Sequence, residues 1–169
     1  MKKLSLLPFL LLFIFSISLT DDAQAQELTT FILVRHAEKA DDGTKDPALS
    51  EEGKSRAQRL AAHLNSTDLT AVYSTPYHRT RSTVEGIAKS HNLQILEYEP
   101  FAGDVLDEML ENNRGGIILI SGHSNTTPHL VNTLIGKDML EQLDESDYDN
   151  LFIVTISEIG NGKVVHVHY

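Results

Sequence analysis

The chain has 169 residues, no Cys and a formal net charge of −10. No disulfide can staple it, so packing alone must hold the fold. The acidic surplus repels nucleic acid and anionic membrane surfaces except through a local basic pocket, which sets those partner classes aside.

The N-terminus reads as a targeting segment. Lys2 and Lys3 form a positive start, Leu4 to Leu19 is a nearly uncharged apolar run, and Ala23-Gln24-Ala25 offers a small-residue cleavage site. Residues 1–25 are therefore expected to be a secretory signal peptide, and the protein to be exported, periplasmic or extracellular. Pro8, and a run short of the ~20 residues of a full span, weigh against a retained anchor and stable membrane insertion. Residues 26–169 remain as one domain large enough to bury a core.

In chain order, Phe31 to Val34 is an apolar strand running into Arg35-His36, and Asp41 to Pro47 is a loop punctuated by Asp-Asp-Gly and Asp-Pro. Ser50 is placed to cap a helix with Glu51 and Glu52 in its first turn, and Ala57, Leu60, Ala61 and Leu64 repeat at helical spacing. Leu69 to Tyr73 is a second strand, ending in Ser74-Thr75-Pro76. Tyr77 to Ala88 follows as a helix that carries His78, Arg79 and Arg81 in its first turns. Cations there oppose the helix dipole, and an anion among them would resolve the conflict.

Leu93 to Tyr98 predicts a third, edge-type strand. Val105 to Asn112 predicts a helix that buries Val105, Leu106, Met109 and Leu110. Ile117 to Ile120 is a solid apolar run suited to a central parallel strand, and it leads into Ser121-Gly122-His123-Ser124-Asn125. Thr126 to Ile135 is the next helix, with Pro128 near its start. Lys137 to Asn150 is acidic and reads as a loop with a short helix. Leu151 to Ile156 and Val164 to Val167 are strands joined through Gly160-Asn161-Gly162 as a tight hairpin.

This alternation predicts a three-layer α/β/α sandwich with a mostly parallel central sheet. In that architecture the loops after Val34, Tyr73 and Ile120 open on one edge. Arg35-His36, His78-Arg79-Arg81 and His123 would then share a rim. Such a rim suits phosphoryl transfer, because arginine offers paired donors to phosphate oxygens and a neutral imidazole is a competent nucleophile. Nearby arginines favour the neutral form of His36, and the charge can be met without an obligatory metal.

Three segments carry a family resemblance. Arg35-His36-Ala37-Glu38 resembles the Arg-His-Gly signature of the histidine phosphatase superfamily, whose fold is phosphoglycerate-mutase-like. Ala37 replaces the more usual Gly. Ser74 to Thr83 resembles its Ser-Ser-Pro-x-x-Arg-Ala-x-x-Thr segment, and Gly122-His123-Ser124 its second Gly-His motif. The resemblance implies that His36 becomes phosphohistidine while Arg35, Arg79 and His123 hold the phosphoryl oxygens, with Ser124 and Asn125 lining the pocket. It also implies a general acid between the second and third motifs. Asp104 is preferred, with Glu97, Glu99 and Asp107 open in the same interval and Glu38, two residues from His36, a further candidate. His78 and Arg81 receive no role, and Arg81 is expected on the helix surface.

The function expected is an exported phosphomonoesterase acting on a phosphorylated small molecule or phosphoprotein, without cofactor or metal. A mutase and a non-catalytic phospho-ligand module are the alternatives. A metal site at His166 and His168, two apart on one strand, is a weaker reading without Cys or an H-E-x-x-H pattern beside it.

Overall fold

The structure, a computed structural model, describes residues 27–169, and the segment expected as a signal peptide lies outside the described residues. The elements run β1 (Thr29–Arg35), α1 (Glu51–Leu64), β2 (Leu69–Ser74), α2 (His78–Ser90), β3 (Ile95–Glu97), α3 (Val105–Asn112), β4 (Ile117–Gly122), α4 (Thr126–Ile135), β5 (Asn150–Ile156) and β6 (Lys163–His168). The strands form one sheet in the order β3-β2-β4-β1-β5-β6.

Strand alternation builds the three layers. On β1, Phe31 and Leu33 face one side, where they meet α3 and α4 through Leu106, Met109, Leu130 and Leu134. Ile32 and Val34 face the other side and pack on α1 and α2 through Leu60, Val84 and Ile87. Successive side chains of a strand point to opposite faces, so a continuous apolar run is what a sheet covered on both faces requires.

Local chemistry sets the helix ends. Ser50 caps α1 by accepting the Gly53 amide at 3.0 Å, with Glu51 and Glu52 in the positive first turn. Gly53 also lets α1 rest against the chain leaving β1, since a Cβ there would collide with the Glu38 carbonyl. α4 ends at Gly136 in the left-handed conformation, φ 67°, which costs glycine nothing.

Three expectations are corrected. The sheet is mixed: β3, β2, β4 and β1 pair in parallel, whereas β5 is antiparallel to β1 and β6 to β5. Residues 137–149 contain no helix. They carry the chain from the end of α4 back to the carboxyl edge of the sheet, where Leu151 of β5 pairs with Val34, so β5 must descend against β1. The β5–β6 connection spans Ser157 to Gly162 and is longer than a tight two-residue turn. Among the described residues no helix is long and apolar enough to cross a membrane.

Candidate active site

Register places three strand ends at one level. Arg35 pairs with Gly122 across β1 and β4, and Ser74 with Ser121 across β2 and β4. His36, Thr75 and His123 therefore leave the sheet together at its carboxyl edge, where open α/β sheets bind ligands. They open on a cavity of about 430 Å³, also lined by Arg79, Ser124, Glu99 and Glu145.

His36 is buried, and its backbone N–H donates to the Gly122 carbonyl at 2.9 Å. Its Nδ1 lies 2.8 Å from the Ala37 carbonyl oxygen. A carbonyl only accepts, so Nδ1 carries the proton and Nε2 keeps its lone pair. Burial pushes the His36 pKa down to about 3; His123, Arg35 and Arg79 press the same way, against the Ala37 hydrogen bond. The ring is thus neutral at ordinary pH, with Nε2 unprotonated.

His123 meets the ring of His36 edge-on, with centroids 5.4 Å apart. Its Nδ1 faces Arg79 NH2 at 3.4 Å and its Nε2 faces Thr75 Oγ1 at 2.9 Å. Arginine only donates, so Nδ1 accepts and Nε2–H donates to Thr75. The Thr75 hydroxyl donates a hydrogen bond to Thr80 Oγ1 at 3.0 Å, and Thr80 donates to the carbonyls of Thr75 and Tyr77. In this arrangement His123 orients Arg79. Burial lowers its pKa to about 4; Arg79 and Arg35 add to that shift, while Asp46 and Glu145 oppose it.

The segment Ser74 to Thr83 docks α2 on the site. Thr83 Oγ1 accepts the Ala37 amide at 2.9 Å, and Ser121 Oγ donates to the Thr80 carbonyl at 2.9 Å. These buried hydroxyls fix the first turn of α2, and with it Arg79, against all three strand ends. The dipole conflict at this helix is resolved from within the chain: Asp46 accepts the His78 amide at 3.0 Å and pairs with Arg79 NH1 at 3.4 Å. The anion expected from the sequence at that terminus is a carboxylate from the loop after β1. Unbalanced cations were the signal for it, but nothing local named Asp46.

Arg35 sits differently from its expected place. It is 1% exposed and absent from the cavity lining. NH1 donates to the carbonyls of Asp144 and Asp147 at 2.6 and 2.9 Å, and NH2 to the Glu145 carbonyl and carboxylate at 3.2 and 3.0 Å. The Tyr148 ring lies 4.1 Å below the guanidinium carbon. The Arg35 Nε is buried without a partner among the described residues. Neither Glu145 nor Tyr148 stands in a recognisable motif, and sequence reasoning missed both.

The acids separate by position. Glu38 is held by Arg56, which donates to both its oxygens with contacts down to 2.6 Å. Glu97 pairs with Arg81 on the surface. Asp104, the preferred acid, is not on the His36 cavity; it lines a neighbouring one with Tyr98 and Glu108, because the chain turns at Glu99-Pro100 before reaching it. Glu99 lies on both cavities, and Asp107 does not line that of His36. Asn125 joins Ser124 in the lining. His166 and His168 bond to Asn150 and Asp149, and among the described residues no group of three or more His, Cys, Asp or Glu could hold a metal.

Residues 31–102 match the model of the histidine phosphatase superfamily, branch 1. Phosphoserine phosphatase 1 of Hydrogenobacter thermophilus is 34% identical over 98 residues, covering 50% of this chain and 46% of that protein, so the match spans about half of the relative's length. The protein histidine phosphatase SixA, solved with tungstate, superposes with a TM-score of 0.66 at 19% identity over 82% of this chain and 96% of that one. Phosphoglycerate mutase from Bacillus anthracis gives 0.65 at 14% identity over 84% and 93%. At such identities the structures establish the fold, which is phosphoglycerate-mutase-like. The segment similar to that superfamily holds His36 and Arg79, and the sheet returns His123 to them.

Proposed function

We propose that this protein is a phosphatase that works through a phosphohistidine at His36. The observation that carries the reading is the free Nε2 of a neutral, buried His36, facing a cavity shared with Arg79 and His123. Nε2 attacks phosphorus, the bond from phosphorus to the leaving oxygen breaks, and the leaving oxygen takes a proton from Glu99. Water then gives a proton to the Glu99 carboxylate and attacks phosphorus. The Nε2–P bond breaks and inorganic phosphate departs. Glu99 is assigned because it lies on the same cavity as His36. Arg79 meets the charge on the equatorial oxygens, which supports catalysis without a metal.

The relatives named for phosphoserine and phosphohistidine support a phosphomonoester or phosphoprotein substrate. Export rests on residues 1–25, and the N-terminal sequence of the protein recovered from fractionated cells tests it. The mechanism is tested by trapping with a labelled phosphodonor, before and after metal chelation. Wild-type protein should carry acid-labile label on His36 whether or not chelator is present. His36→Ala should carry none and lose at least about 10⁴-fold in rate. Turnover by the variant close to wild type would end the reading.

A further inference from the structure

One carboxylate in the cavity has no part in the proposed reaction. Glu145 accepts Arg35 NH2 at 3.0 Å on one oxygen and Ser124 Oγ at 2.7 Å on the other. Ser124 lines the cavity of His36, and Arg35 lies just behind that lining with its NH2 turned to this carboxylate. Arg35 immediately precedes the nucleophile, and Ser124 lines the same cavity as Glu145 itself. A carboxylate presents two acceptor oxygens to such donors much as a phosphoryl group does.

The way Glu145 is held marks it as removable. Its side chain is 67% exposed, against 1% for Arg35, and it belongs to a loop without helix or strand. Arg35 would stay in place without it. The carbonyls of Asp144 and Asp147 keep NH1, and the Tyr148 ring supports the guanidinium. The buried Nε of Arg35 has no acceptor among the described residues, so the guanidinium has a donor that the loop leaves unused. An unpaired buried donor is uncommon and favours any acceptor that reaches it.

We propose that the Glu145 carboxylate is an internal anion that occupies part of the phosphoryl subsite and is displaced when substrate binds. The inference rests on the phosphatase reading above. The incoming phosphoryl oxygens take over NH2 of Arg35 and the Ser124 hydroxyl, while the loop backbone keeps its hold on NH1. No covalent bond changes; one set of hydrogen bonds replaces another. Glu145 therefore lowers apparent affinity by keeping part of the site filled, and its effect falls on binding more than on the chemical step.

Tungstate, a tetrahedral dianion, is the probe. Its inhibition constant and the KM for a phosphomonoester are measured for wild type, Glu145→Gln and Glu145→Ala. Both variants should bind tungstate roughly 2- to 10-fold more tightly, the scale of a partly exposed ion pair, with KM falling in parallel and kcat changing less. Tungstate binding equal to or weaker than that of an active wild type, in both variants, would overturn displacement and leave the phosphatase reading standing. So would a large fall in kcat at unchanged KM, which would make Glu145 catalytic. A wild-type protein that neither forms phosphohistidine nor binds tungstate would remove both readings.

Discussion

The two flanks of the His36 cavity carry the same chemical pair, an arginine against a loop carboxylate, built in opposite ways. On one flank Arg79 rises from the first turn of α2, lines the cavity, and is held by Asp46, whose carboxylate also caps the helix. On the other, Arg35 is sealed beneath the Asp144 to Tyr148 loop, and its carboxylate partner is the exposed one. Identical charges thus serve different ends. Arg79 opens directly on the cavity, while Arg35 ties the returning loop to the strand that carries His36 and turns its NH2 to the Glu145 carboxylate.

The contrast is broken most directly by truncating each arginine. Arg79→Ala should lower kcat/KM by about 10²–10³-fold with little loss of stability, because it removes a donor aimed at developing charge. Arg35→Ala should show itself first in denaturant unfolding. It takes the Arg35 donor from the Asp147 carbonyl and one of two donors from that of Asp144, and it empties the space of a fully buried side chain, a cost of roughly 2–4 kcal/mol. Equal stability losses in the two variants would erase the distinction between the flanks. Lysine at either position keeps the charge but not the planar fork, and should rescue neither fully.

A smaller effect separates the carboxylates. Asp46→Ala should cost about 1 kcal/mol in thermal or chemical unfolding, since it removes the cap of α2 together with the partner of Arg79. The corresponding change at Glu145, on the exposed loop, should leave stability nearly unchanged.

A pH dependence is seated between the flanks. His36 and His123 hold folded pKa values of about 3 and 4, below the ordinary 6.5. Between about pH 6.5 and pH 3 the unfolded chain therefore binds protons that the folded chain refuses, so stability falls as pH falls through that window. Above the ordinary histidine range the contribution is fully present. His36→Asn should lose less stability than wild type between pH 7 and pH 4 in parallel melts. Identical pH slopes would mean that His36 titrates normally in the fold.

The sequence by itself determined the layers and most of the rim. Apolar runs at Phe31 to Val34 and Ile117 to Ile120 could only be doubly covered strands, and helical spacing after Ser50 and within Val105 to Asn112 left little choice. Because parallel strands share one carboxyl edge, the sequence alone brings His36, Arg79 and His123 together. What stayed illegible was everything that depends on how loops close. Asp46 caps a helix 32 residues away, and the Asp144 carbonyl reaches Arg35 across 109. The choice between Glu99 and Asp104 turned on where the chain bends after β3. Periodicity encodes which face of an element is buried, a property of neighbours along the chain. Which carboxylate meets which arginine is settled only when the sheet order and the return path to β5 fix loops side by side, and no local pattern carries that information.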